Sequence, residues 1–338
     1  MTVLDQEPSE AVKPVARRVL PPPVTGQELV LVAVIAVLWV LLGIFTPSFL
    51  SPSSIQPLLV SVAPIALIGV GMTFIIITAG IDVSVGGAIA LCAVVTAKLL
   101  VNYAVPLPVA VAASMALGLV LGLVNGALIA YGRVHAIIIT FGTANIFQFF
   151  ALRVFGSSTV NNIPATLDVF GRGDVGRTFG VPHSFAITIL VVLLAWWYLR
   201  HTAGGRHLFA IGGNANAARL AGVKVQPRVL LAYAITGTLV GLGACFLIAA
   251  GTSTLDQGVG IGRELAVIAA VVIGGTSILG GRGSVIGTLL GAILVQTVTS
   301  GVTQLGWPSQ LANLFVGLFI IIAVGTDLLR ERARRRKA

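Results

Sequence analysis

Apolar residues fall along this chain in long blocks, separated by short stretches rich in Gly, Pro, Asn and Arg. A helix needs roughly 17 to 25 mostly apolar residues to cross about 30 Å of hydrocarbon. Such blocks lie at Leu29 to Phe45, Ile55 to Thr78, Val83 to Val101, Leu107 to Tyr131, Ala136 to Phe155, Ser184 to Leu199, Val229 to Gly251, Leu265 to Leu279, Ser284 to Thr303 and Gln310 to Asp327. They predict an all-α polytopic membrane protein of about ten transmembrane helices. Two blocks are expected to be broken or re-entrant: Pro57 and Pro64 interrupt the second, and the eighth runs into "IGGTSILGGRG".

Composition agrees. Of 338 residues, 57% are hydrophobic and only 9% charged, with a mean hydropathy of +1.02, whereas a soluble domain carries about 25% charged residues. Net charge is +10, and its placement is a topology signal with no nucleic-acid partner implied. With the N-terminus inside, Lys13, Arg17, Arg18, Arg133, Arg200, Arg206, Arg219, Lys224, Arg228, Arg282 and the six basic residues of "RERARRRKA" face the cytoplasm. Lys98, Arg153, Arg172, Arg177 and Arg263 face outward. That bias predicts both termini in the cytoplasm of a bacterial inner-membrane protein. Residues 1–28 read as a disordered cytoplasmic tail, 29–327 as the membrane domain with a cytoplasmic loop at 200–228, and 328–338 as a basic tail. The first block is long and lacks a small-residue cleavage pattern, so it reads as a retained anchor.

Little in the chain supports catalysis. Cys92 and Cys245 lie within apolar blocks and imply neither a disulfide nor a metal site. His135, His183, His201 and His207 sit at block ends or in loops without the grouping of a zinc site or a triad. There is no G-x-x-x-x-G-K-[ST] phosphate loop, and no cofactor is expected.

Three features carry positional information. In the 200–228 loop, "GGNANAARLAG" predicts a short polar helix, with Asn214 as N-cap and Gly222 as the left-handed stop. In "TAGIDVSVGG", Asp82 reads as the cap of a helix beginning at Val83, beside a flexible Gly80 and close to Ser84, an arrangement suited to a gate hinge. Gly118, Gly122 and Gly126, and again Gly283, Gly287 and Gly291, form ridges for close helix packing. Polar and aromatic residues inside the blocks, namely Phe74, Asn125, Asn145, Phe147 and Gln148, are candidates for a substrate path, since a neutral polyol needs amide or hydroxyl partners and a ring face. Buried amides also bond helix to helix, and that role is open for each.

The stretches "AIGGNANAARLAGVKV", "TAGIDVSVGGAIAL", "VNGALIAYGRVHAIIITFGT" and "AVVIGGTSILGGRGSVIGTLLGAILV" resemble, in that order and spacing, the permease subunits of bacterial ABC importers for ribose, xylose, rhamnose and autoinducer-2. The resemblance runs from about Leu29 to Asp327. It implies that Asn214, Ala217, Ala218, Arg219, Leu220 and Gly222 belong to a coupling helix seated in a groove of a cytoplasmic ATPase. It also implies a second permease chain, identical or related, an extracytoplasmic sugar-binding protein, and an inverted internal repeat. The chain departs from the family in "NANAAR", which has no acidic residue near the helix start. A branched-chain amino acid permease of the related family is the alternative within transport. An ion-coupled secondary transporter is the alternative of another class; it would need a coupling carboxylate, for which only Asp82 qualifies, Glu264 lying at a span edge beside Arg263.

Overall fold

The computed structural model describes residues 26–156, 159–251 and 253–335. The expected N-terminal tail up to residue 25, and residues 336–338 of the basic tail, lie outside the described residues. The helices are α1 (Gly26–Phe45), α2 (Pro52–Ile77), α3 (Val85–Asn102), α4 (Leu107–Gly132), α5 (Ala136–Phe155), α6 (His183–His201), α7 (Ala203–Gly213), α8 (Ala215–Leu220), α9 (Val225–Ala250), α10 (Arg263–Ile273), α11 (Val285–Gln304) and α12 (Gln310–Arg335). A 3-10 turn at Ala165–Phe170 and a two-residue hairpin, β1 (Arg177–Thr178) with β2 (Val181–Pro182), interrupt the otherwise helical chain. α12 carries on to Arg335, so the basic stretch from 328 begins as helix.

Among the described residues nine helices are long and apolar enough to cross a membrane. The eighth predicted block is different. α10 has 11 residues, about 16 Å of helix, half a bilayer; residues 274–284 then continue without regular helix, where Gly275, Gly280 and Gly281 have positive φ. The second block reverses expectation. α2 is one continuous helix of 26 residues despite Pro57 and Pro64. The prolines remove the bonds that Ser53 O and Val60 O would accept, yet the helix runs on; along the same stretch Gln296 Nε2 donates to Ser61 O at 3.1 Å and Thr188 Oγ1 to Ala63 O at 3.2 Å, tying it to α11 and α6.

Both glycine ridges become close contacts. On α4, Gly118 and Gly122 lie on the backbone of Tyr233 and Gly237 of α9, and Gly126 lies on Leu230. On α11, Gly287 and Gly291 lie on the backbone of α10 at Gly274 and Ala270. A Cβ at any of the four backbone-facing glycines would collide with main chain, so only glycine permits this spacing.

The packing is reciprocal. α2 contacts α9, α10 and α11, while α9 contacts α2, α3 and α4. α2 and α9 run antiparallel, with Gly71 against Thr236 and Gly243 against Ile68. Exchanging α2–α5 for α9–α12 therefore reproduces the contact pattern with the direction reversed, as expected of an inverted repeat. At one end of the bundle, Ser284 Oγ donates to Glu28, Ser277 Oγ to Asp327, and Gly281 N to Ile77 O beside Gly212. The starts of α1 and α11, the end of α7 and Asp327 of α12 thus share that end, here called the α8 end.

Candidate functional site

The segment between α2 and α3 folds back into the bundle. α2 stops at Ile77, where Thr78 Oγ1 donates to Ile75 O at 2.7 Å and Ala79 takes φ +63°. Asp82, 4% exposed, then accepts from Ser84 N at 2.9 Å and Ser84 Oγ at 2.6 Å. Ser84 Oγ in turn accepts from Asn125 Nδ2 of α4 at 2.7 Å, and Thr140 of α5 donates to Ile81 O at 3.2 Å. The helix begins at Val85, two residues later than expected, and Asp82 turns the chain ahead of it without bonding its first turn. Asp82 lies between the two spans, inside the bundle. Gly80 sits beside Tyr233 of α9, whose hydroxyl is 3.0 Å from where a Cβ would stand. That hydroxyl and Asn125 Oδ1 are buried without a hydrogen-bond partner.

A counterpart precedes α10. Asp256 Oδ1 accepts from Gly258 N at 2.6 Å, repeating the Asp82-to-Ser84 turn, and Gly262 at φ +75° starts the helix. Gly260 rests on the backbone of Gly86, and the Glu264 carboxylate lies over Gly86 so closely that a Cβ there would collide with it. The next residue, Gly87, faces Ala144 O and Phe147 of α5, near the middle of that 20-residue helix. The starts of α3 and α10 therefore meet at mid-depth. The reading that placed Glu264 at a span edge missed this. "LDQGVG" against "IDVSVG", an aspartate two residues before the turn in both halves, was the signal available.

At the α8 end, Asn214 caps α8 as expected, its Oδ1 accepting from Asn216 N and Ala217 N at 3.0 Å each. Gly222 at φ +82° closes it, with Val223 N donating to Ala218 O and Gly222 N to Arg219 O, each at 3.0 Å, a Schellman ending. α7 was not anticipated; it starts where Thr202 Oγ1 accepts from Gly205 N at 3.1 Å. Ala218 packs inward on Ile211 and Val225, while Ala217 and Arg219 are exposed and Leu220 is 91% exposed.

The five path candidates do not converge. Phe74 is buried and stacked on Tyr198 at 5.8 Å. Asn125 is committed to Ser84, Phe147 is buried against α3, exposed Asn145 donates to its own Phe141 O at 2.9 Å, and Gln148 is half-buried. A cavity of about 510 Å³ at the α8 end instead joins Arg219 of α8 to Thr78, Ala79, Gly80 and Tyr233, with Arg133 and His135 on its rim. Among the described residues no group of His, Cys, Asp and Glu could hold a metal ion.

Half-helices that stop inside an inverted-repeat bundle are a mark of membrane transport proteins, and that is the class this architecture defines. The chain belongs to the family described as branched-chain amino acid transport system / permease component, whose model matches residues 54–324. It is 37% identical over 300 residues to the ribose import permease protein RbsC of Escherichia coli, covering 88% of this chain and 91% of that one. The fructose import permease protein FrcC of Rhizobium meliloti is 33% identical, covering 82% and 79%. The autoinducer 2 import system permease protein LsrD of Photorhabdus laumondii is 32% identical, covering 88% and 90%. No solved structure matches.

Proposed function

We propose that this chain is the membrane-spanning subunit of an ATP-driven ABC importer for a monosaccharide or a related sugar derivative. The observation that carries the reading is α8: a six-residue helix capped at both ends, braced from behind by Ala218, and presenting Leu220 and Arg219 outward. An apolar side chain held rigidly in the open at the basic end of a membrane protein has a partner to meet. The partner is a cytoplasmic ATPase, with α8 as its coupling helix, so the α8 end faces the cytoplasm. The names of the sugar-importing relatives support the substrate class.

ATP binding and hydrolysis occur on that separate chain, and this subunit changes conformation. The cavity beside α8 connects Arg219 to the 78–80 segment and Tyr233. α8 follows directly on α7, whose Gly212 packs on Ile77 O at the end of α2, so a push on α8 reaches the 78–80 turn through packed backbone, and differential binding by the ATPase shifts the inward and outward populations. A second permease chain and an extracytoplasmic binding protein complete the importer, which makes no use of an ion gradient.

Leu220→Glu tests the docking without touching a span or the packing of Ala218. It is expected to insert normally and to weaken ATPase association by about 2 kcal/mol, roughly thirtyfold, in a detergent pull-down. Association at the wild-type level, with transport intact, would sink the coupling role. Uptake driven by a proton or sodium gradient without ATP would replace the importer with a secondary transporter.

A further inference from the structure

α10 opens with two opposite charges in succession, Arg263 and Glu264, both half-buried. Among the described residues neither has a side-chain hydrogen bond or an ion pair. Their depth makes this unusual. Glu264 lies over Gly86, and the adjacent Gly87 lies on Ala144 and Phe147, the middle of a spanning helix. A charged group at that depth ordinarily pairs or faces a polar passage, because hydrocarbon solvates it poorly.

Two local effects explain how the carboxylate is tolerated. It is the second residue of α10 and rests against the second residue of α3, so the positive ends of two helix dipoles converge on it. Neither dipole occupies its lone pairs as a hydrogen bond would. The flanking Ile261 is 74% exposed and Leu265 60%, an uncovered apolar face of the single chain against which the second permease chain of the importer would seat, with the passage between the two. An unpaired acceptor and an unpaired donor thus follow one another in the chain at mid-depth, at the margin of this uncovered face.

We infer that Arg263 and Glu264 form a substrate-recognition point of the passage, with the Glu264 carboxylate accepting hydrogen bonds from the hydroxyls of a neutral polyol and Arg263 donating to its oxygens. The inference rests on the importer reading. A polyol matches the pair because each hydroxyl both donates and accepts, and it brings no net charge to mid-membrane. A zwitterionic amino acid is the competing ligand, and the experiment includes it. The glycines at 86 and 260 let the two helix starts approach until Glu264 reaches this place.

The test uses the full chain reconstituted with its ATPase and binding protein. Wild-type vesicles are assayed first with D-ribose, D-fructose and L-leucine as probes. ATP-dependent uptake of leucine and of neither sugar refutes the sugar-substrate reading before any variant is made. With sugar uptake established, Glu264→Ala is expected to lower it roughly tenfold to a hundredfold, the loss of one or more charge-assisted hydrogen bonds. ATP hydrolysis stimulated by loaded binding protein should persist, because coupling through α8 is untouched. Glu264→Gln fills the same space over Gly86 and keeps one acceptor, so it should retain intermediate uptake; if the alanine variant fails to insert, the glutamine variant decides on the same criteria. Wild-type uptake would overturn the proposal, as would parallel loss of uptake and stimulated hydrolysis, which would make Glu264 a structural residue.

Discussion

The turns before α3 and α10 begin with the same local chemistry and end in different surroundings. In each, an aspartate Oδ1 accepts from the backbone N–H two residues on, bending the chain into a helix that starts inside the bundle. Before α3 the turn is sealed: Asp82 is buried, Ser84 gives it a second bond, and Asn125 of α4 and Thr140 of α5 tie the segment to two neighbours. Before α10, Asp256 is exposed and its side chain makes one local bond, while the backbone beside it is bridged to the loop after α5: Leu255 and Val160 exchange N–H···O bonds at 2.8 and 3.0 Å, and Gln257 Nε2 donates to Gly156 O at 3.2 Å. The repeat reuses one device for two mechanical ends. The first turn is tied by side chains to the spanning helices α4 and α5, and the second by backbone and Gln257 to the loop after α5, so each moves with the element that holds it.

That contrast is open to attack. Asp82→Ala removes the acceptor from two Ser84 donors in a buried site, and is expected to cost about 1 to 3 kcal/mol, read as a lowered thermal unfolding midpoint in detergent. An unchanged midpoint would mean the inner turn is not held by this network. Asn125→Ala should cost about 1 kcal/mol or slightly more, since it unpairs Ser84 Oγ from one side only. Asp82→Asn separates the turn from the charge: the amide Oδ1 still accepts from Ser84 and no carboxylate is buried, so a loss under about 1 kcal/mol is expected. A loss as large as that of the alanine variant would assign Asp82 a role that requires its charge. Asp256→Ala, at an exposed site with one local bond, should stay within about 0.5 kcal/mol, and a cost equal to that of Asp82→Ala would erase the difference between the two turns.

The pattern of apolar blocks settled the all-α membrane class and the position of nearly every helix, because exposing a polar backbone to lipid leaves few alternatives to an apolar helix. Local signals were equally legible. Asn214 and Gly222 bound α8 because caps and left-handed stops are decided by a few neighbouring atoms, and the ridges Gly118, Gly122, Gly126 and Gly283, Gly287, Gly291 announced close packing through the absence of a side chain.

Tertiary structure decided the rest. Proline propensity argued for a break in α2, but the helix runs on through both prolines, packed against α9, α10 and α11. Hydropathy counted 265–279 as a span, whereas packing of α10 on Gly287 and Gly291 leaves a half-helix. Phe74, Asn125 and Phe147 looked alike as polar or aromatic residues in apolar blocks, yet packing committed them to Tyr198, Ser84 and α3. Glu264 became a mid-membrane group only when Gly260 met Gly86, since depth depends on which distant backbone a residue touches, and hydropathy records only its neighbours along the chain.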